Sequence, residues 1–141
     1  MATLSFMTLH ASTVAIGGRA VMIEGPSGSG KSDLALRLID RGAMLVSDDY
    51  TLVTRRGEAL MARAPDTIAG KMEVRGLGVV ELPHVDDVPV ELIVQLDAEV
   101  PRLPERRTRP VAGVAIRELA LDPFTASAPI KVEFALKDRA A

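Results

Sequence analysis

Residues Gly25, Pro26, Ser27, Gly28, Ser29, Gly30, Lys31 and Ser32 read G-x-x-x-x-G-K-S, the spacing of a phosphate-binding loop. Gly25, Gly28 and Gly30 let the chain curl with its N–H groups pointing inward. Those amides, with the positive end of a following helix, hold phosphate oxygens. Lys31 adds a point charge that reaches β and γ phosphates, and Ser32 supplies a hydroxyl where Mg²⁺ sits. Asp48 and Asp49 follow downstream, where a phosphate-loop protein places acids facing the metal and the terminal phosphate. On an extended chain the two carboxylates point to opposite sides, so one can approach the metal while the other faces a different group such as an incoming hydroxyl. Taken alone the pair reads as a polar turn ending a strand, and the upstream loop favours the functional reading. Spacing does not decide which of the two is the base.

Other groups carry weaker signals. Glu73 and Arg75 share a face if Met72-Glu-Val-Arg75 is a strand, as metal ligand and phosphate clamp or as a solvated pair. His10 ends a short apolar run, and His84 beside Pro83 reads as a loop residue. Arg102, Arg106, Arg107 and Arg109 form a cluster that could meet phosphate or an acidic partner, or simply be solvated.

The elements that must position these groups are legible around them. Ala20-Val-Met-Ile-Glu24 suits a buried strand feeding the loop, and Ser32 to Asp40 has helical periodicity with Leu34, Leu38 and Ile39 on one side. Gly42 is a natural C-cap. Ala43 to Val46 is a strand running into Ser47-Asp-Asp49. Thr3 to Thr8 and Ser12 to Ile16 read as strands, and Gly17-Gly18 as a hairpin turn. Tyr50–Arg55, Glu58–Arg63, Val79–Leu82 and Val88–Leu96 are further strands. Pro101 to Pro110 reads as a loop, Val111 to Leu121 as extended again, and Ser127-Ala-Pro-Ile opens a C-terminal helix through Leu136. Strands outnumber helices, unusually for a nucleotide fold in which each strand alternates with a helix.

The chain has 141 residues, the size of one domain, and its 48% hydrophobic content supports a core. Only 3% of residues are aromatic, so that core is aliphatic. A net charge of −2 gives no electrostatic case for nucleic acid. Without cysteine, disulfides and thiolate metal sites are excluded. No apolar stretch reaches the length of a membrane span and no signal peptide is evident, so a cytoplasmic location with access to ATP is expected.

Together these residues resemble the catalytic C-terminal domain of HPr kinase/phosphorylase, which acts on a serine of the phosphocarrier protein HPr. The resemblance runs from His10 to Leu96. It rests on His10 before a hairpin, the loop Gly25 to Ser32, Leu34-Ala-Leu-Arg-Leu-Ile-Asp-Arg-Gly42, the strand ending Ser47-Asp-Asp49, and Glu73-Val-Arg-Gly-Leu-Gly78. It implies a strand-rich mixed α/β sheet with a phosphate loop, similar to the nucleotide-binding core of phosphoenolpyruvate carboxykinase. It implies ATP and Mg²⁺ as cofactors and HPr as partner, in phosphotransferase-linked control of carbon metabolism. Lys31 would bind the transferring phosphate. Ser32, Asp48 and Glu73 would belong to the Mg²⁺ site, Asp49 would be the acid/base, and His10 the active-site histidine. Arg102, in Pro-Arg-Leu-Pro, matches an arginine found in an Asp-Arg-Leu-Gly context there, whose Asp and Gly are absent here.

Nothing in the chain corresponds to the N-terminal domain of longer members, so residues 1–141 read as a single kinase domain of the compact, alphaproteobacterial type. The Gly-Arg-Asn segment and C-terminal helices of longer members have no counterpart either. Phosphorolysis of phospho-HPr and homo-oligomer formation therefore stay open. Two other readings stand beside the HPr kinase: a phosphate-loop kinase of small molecules, and a non-catalytic ATP-sensing module. A GTPase is disfavoured, because no Asn-Lys-x-Asp string is present.

Overall fold

The computed structural model describes residues 6–138, so the Thr3–Ser5 part of the first expected strand lies outside the described residues. The protein is a mixed α/β fold dominated by strands. Its nine-stranded sheet branches, with one path ordered β1 (Met7–Leu9), β5 (Thr51–Arg56), β6 (Ala59–Arg63), β9 (Val88–Gln95), β3 (Arg19–Glu24), β2 (Ala11–Ile16) and β4 (Met44–Ser47). The hairpin β10 (Arg107–Val111)–β11 (Val114–Ala120) joins through β11, which lies parallel to β9. A separate hairpin, β7 (Lys71–Val74) and β8 (Gly78–Glu81), stands beside the sheet. Helix α1 (Lys31–Asp40) follows β3, and helix α2 (Ala128–Lys137) closes the described chain.

Both faces of the central strands are covered, which is why residues 20–23 of β3 and residues 92–94 of β9 read as continuous apolar runs. Val21 and Ile23 of β3 pack with Leu34, Ala35 and Leu38 of α1 and with Val132 and Leu136 of α2. Ala20 and Met22 face the other core, with Val53, Leu60 and Ala62. Leu34 and Leu38 are essentially inaccessible to solvent; such burial stabilises by roughly 1.5–3 kcal/mol per side chain. The β3–β9 register shifts between Ala20 and Val21, leaving Glu91 as the extra residue. Val90 and Ile93 therefore share one core although their spacing is odd.

The parallel strands β3, β4, β9 and β11 end at one edge of the sheet, and that edge carries the site. Helix α1 starts there because Gly30 takes φ +99°, a left-handed conformation that favours glycine. Helix α1 stops in a Schellman pattern: the Ala43 amide donates to the Leu38 carbonyl, and Gly42 to Ile39, each at 3.0 Å.

Two expectations are corrected. The Pro101–Pro110 segment is not wholly loop, since Arg107–Val111 is strand β10. Arg107 and Arg109 alternate onto the face where Glu118 of β11 pairs with both, so opposite charges across the ladder make a strand of a basic run. Arg75 is not on a strand with Glu73, because β7 ends at Val74 and Arg75 enters the turn to β8.

Candidate active site

The glycine loop, the segment after β4 and the tip of the β7–β8 hairpin surround one cleft of about 800 Å³. Ser27, Gly28, Gly30, Lys31, Ser32, Asp48, Asp49, Glu73 and Arg75 all line it. Gly28 and Gly30 take positive φ, and Gly25 does not. Its constraint is space, since a Cβ there would lie 2.5 Å from Ser29 Oγ.

Lys31 is buried, with 6% of its surface exposed. Its ammonium donates to the carbonyls of Gly25 (2.8 Å) and Pro26 (3.2 Å). Among the described residues no carboxylate lies within ion-pair distance of it. A buried ammonium held only by neutral carbonyls has no internal counter-charge, so the site suits an incoming anion.

Asp48 is also buried, and it collects three donors. Ser32 Oγ (2.7 Å) and Ser12 Oγ (2.9 Å) both donate to its Oδ1, and the Glu73 amide donates to its Oδ2 at 3.2 Å. The helix that starts at Lys31, the strand beside β3 and the hairpin are thereby tied to one carboxylate. The Ser12 hydroxyl in turn accepts from the Asp49 amide at 3.1 Å.

Adjacent acids were expected to diverge by strand alternation. The cause of their divergence is a turn instead. Asp49 has φ +70°, and the Tyr50 amide donates to the Asp48 carbonyl at 2.8 Å, closing the rare positive-φ γ-turn. Such backbone costs of order 1–3 kcal/mol and persists where surrounding bonds over-determine it. Here the Asp49 amide bond to Ser12 and a bond from Ser47 Oγ to the Tyr50 carbonyl do so. The turn points Asp49 toward His10, whose Nε2 meets Asp49 Oδ1 at 2.8 Å. Tyr50 stacks on the His10 ring with centroids 5.2 Å apart.

The sequence-predicted residues are thus brought together with one exception. Arg102 lies in an exposed loop and is not among the residues lining the cleft. Of its neighbours, Arg109 is engaged by Glu24 and Glu118, and Arg106 by Asp138. Sequence reasoning missed Ser12 and Tyr50. Ser12 and Thr13 are both fully buried in the apolar run Ala11–Ile16, and a hydroxyl pair inside such a run is the signal that marked them. Thr13 finds its partner in Thr51 at 2.8 Å, away from the acids.

The chain is similar to known proteins of one family. Residues 3–100 match the family described as HPr Serine kinase C-terminal domain. HPr kinase/phosphorylase of Chlorobium limicola is 49% identical over 75 residues, covering 52% of this chain and 23% of that protein. The Burkholderia lata protein of the same name is 37% identical over 127 residues, covering 81% of this chain and 39% of that one. The structure of the Hpr(Ser) kinase/phosphatase from Coxiella burnetii superposes with a TM-score of 0.81 at 25% identity, covering 94% of this chain and 95% of that chain. The chain therefore spans less than half the length of these curated relatives. Among the described residues no helix is long and apolar enough to cross a membrane.

Proposed function

The chain belongs to the HPr serine kinase C-terminal domain family, and we propose that it transfers the γ-phosphoryl group of ATP to a serine of an HPr-type phosphocarrier in the cytoplasm. The observation that carries this reading is the convergence of Lys31, Ser32, Asp48, Asp49 and Glu73 on one cleft. On this reading residues 25–32 are a phosphate loop, and residues 1–141 form one kinase domain whose nucleotide core is similar to that of phosphoenolpyruvate carboxykinase.

The residues present fit Mg²⁺. Ser32 and Asp48 offer hard oxygen donors 2.7 Å apart, and the Glu73 carboxylate lines the same cleft. No group of three His, Cys, Asp or Glu side chains among the described residues could hold a metal alone. Mg²⁺ takes much of its shell from water and substrate phosphates, so a sparse protein set suits it. Ser32, Asp48 and Glu73 would hold the ion, which when bound neutralises charge on the phosphate oxygens.

The protein's own groups do the rest. Loop amides and Lys31 bind the terminal phosphates, with the ammonium exchanging its two carbonyls for phosphate oxygens. Asp49 accepts the proton of the substrate hydroxyl, a role worth about 10²–10⁴-fold in rate. His10 holds the Asp49 carboxylate in place for that transfer. The exposed face of Asp49 leaves room for a protein substrate, its side chain being 55% accessible.

The test is incubation with Mg-ATP and purified HPr, with phosphoserine read by mass spectrometry. The wild type should phosphorylate the carrier, and Lys31→Ala should abolish transfer. Asp49→Asn should bind ATP normally and lose transfer by about 10²–10⁴-fold. Normal turnover by Asp49→Asn would remove it as the base. ATP binding by the wild type without transfer to HPr would leave the sensing module or the small-molecule kinase instead. Phospho-HPr with inorganic phosphate, run in parallel, reads phosphorolysis.

A further inference from the structure

Phe124 occupies a position that the phosphate chemistry does not use. Its side chain is 76% exposed, yet it lines the cleft together with Ser27, Gly28 and Lys31. The turn that carries it, between β11 and α2, is firmly held. The Leu121 amide donates to the Gln95 carbonyl at 2.9 Å, ending β11 on β9. The Phe124 amide donates to Asp122 Oδ1 at 2.9 Å, and Thr125 Oγ1 to the Asp122 carbonyl at 3.3 Å. Arg37 of α1 reaches across to the carbonyls of Pro123 and Thr125. Pro123 and Phe124 stand so close to Gly30 that a Cβ there would lie 3.3 Å from Pro123 and 3.5 Å from the Phe124 ring. The same helix that presents Lys31 to the cleft therefore fixes an exposed aromatic ring at its mouth.

The sheet order says which end of a ligand this ring meets. From β3, which feeds the loop, the acid pair lies two strands away, across β2 and beyond β4. Phe124 lies two strands away on the other side, across β9 and beyond β11. A chain of phosphates ending between Lys31 and the acids has its other end toward β11. The group attached there in a nucleotide is a flat aromatic base.

We infer that Phe124 is the platform on which the nucleotide base stacks. This rests on the nucleotide reading of the cleft given above. Phe124 offers the base a π-face, and stacking on such a face does not distinguish one base from another. The platform is accordingly base-tolerant, and adenine and guanine nucleotides depend on it alike.

Calorimetric titration of the full chain with Mg-ATP, Mg-GTP and Mg-tripolyphosphate tests the inference. Phe124→Ala should weaken both nucleotides by about 5- to 150-fold, the range of base–aromatic stacking, and leave tripolyphosphate binding unchanged. Phe124→Trp should keep the affinity. The chain has no tryptophan, so the new indole is a sole reporter, quenched by ATP and not by tripolyphosphate. Equal losses for all three ligands would mean that Phe124 only shapes the loop, and no loss for ATP would mean that it does not touch the base; either overturns the inference. If the wild type binds tripolyphosphate and ATP equally well, the phosphate site stands and the platform falls. If it binds neither, the nucleotide reading fails first and the platform with it.

Discussion

Two acidic clusters share one edge of the sheet, and they are built to opposite ends. Glu24, the last residue of β3, and Glu118 of β11 are closed by arginine. Arg109 bridges them, at 2.6 Å to Glu24 and 3.1 Å to Glu118, and Arg107 reaches Glu118 at 3.3 Å. Gln95 adds a donor to Glu24 at 2.6 Å. The Arg109 guanidinium is pushed above its ordinary pKa, first by its hydrogen bond to Glu24, with burial opposing. Asp48, Asp49 and Glu73, just past β4 and on β7, have no such closure. Among the described residues no lysine or arginine lies within ion-pair distance of any of them, and their donors are hydroxyls, an amide and an imidazole. The first cluster is neutralised from within and holds strands together. The second keeps net negative charge beside a buried lysine, which is a demand for an external cation and an external anion together.

The sharpest way to break this comparison is at Asp48. Asp48→Asn keeps the size of the side chain and removes its charge. Phosphoryl transfer should fall by about 10²–10³-fold, the usual cost of deleting one preorganised electrostatic group. The melting temperature should fall by no more than the loss of one acceptor, because the Asn oxygen still accepts from Ser12 and Ser32 and only the Glu73 amide loses its partner. Kinase assay and scanning calorimetry on the same preparation read both. A large thermal loss with activity retained would make the open cluster structural after all.

The closed cluster should behave in reverse. Arg109→Gln leaves Glu24 and Glu118 facing one another without their cation. The pair is partly exposed, with Arg109 at 32% and Glu24 at 14%, so full buried-pair values do not apply. A loss of about 1–2 kcal/mol is expected, with transfer to HPr intact. Denaturant unfolding measures the first and the phosphoserine assay the second. Lost activity without lost stability would move Arg109 into the site, where the basic cluster was one possibility read from sequence.

The difference between the clusters also explains what the sequence could reveal. A loop that binds phosphate needs fixed residue types at fixed spacing, so Gly25 to Ser32 is legible without a fold. The strands and α1 are legible because their periodicities are long and uninterrupted. The Arg109 cluster is not, since Glu24, Gln95, Arg109 and Glu118 come from four strands whose pairing no local pattern encodes. Ser12 belongs to the same class: its contact with Asp48 exists because β2 lies between β3 and β4. Asp-Asp after an apolar run suits a polar turn as well as an extended segment, so the local pattern does not say that Asp49 takes a left-handed turn. Its positive φ is held by the bond that the Asp49 amide donates to Ser12 of β2, which is tertiary, and by the local bond from Ser47 Oγ to the Tyr50 carbonyl.

A third pair calibrates the other two and carries the smallest expected effect. Arg41, capping α1, grips Glu133 of α2 in a two-point contact at 2.7 and 3.0 Å. Both groups are more exposed than the Glu24 carboxylate, Arg41 at 42% and Glu133 at 23%. The Arg41 hydrogen bond holds the Glu133 carboxyl below its ordinary pKa of 4.5, with burial opposing. A carboxylate with a depressed folded pKa stabilises above its unfolded value, and that contribution drains away as pH falls through the folded one. Glu133→Gln should therefore lower the melting temperature at pH 7, and the gap to wild type should close as the pH drops below the ordinary glutamate range. Added salt should narrow the gap at pH 7 as well, because exposed pairs are screened. A thermal loss at pH 7 exceeding that of Arg109→Gln would show that helix docking, rather than enclosure at the strand edge, sets the worth of an ion pair in this fold.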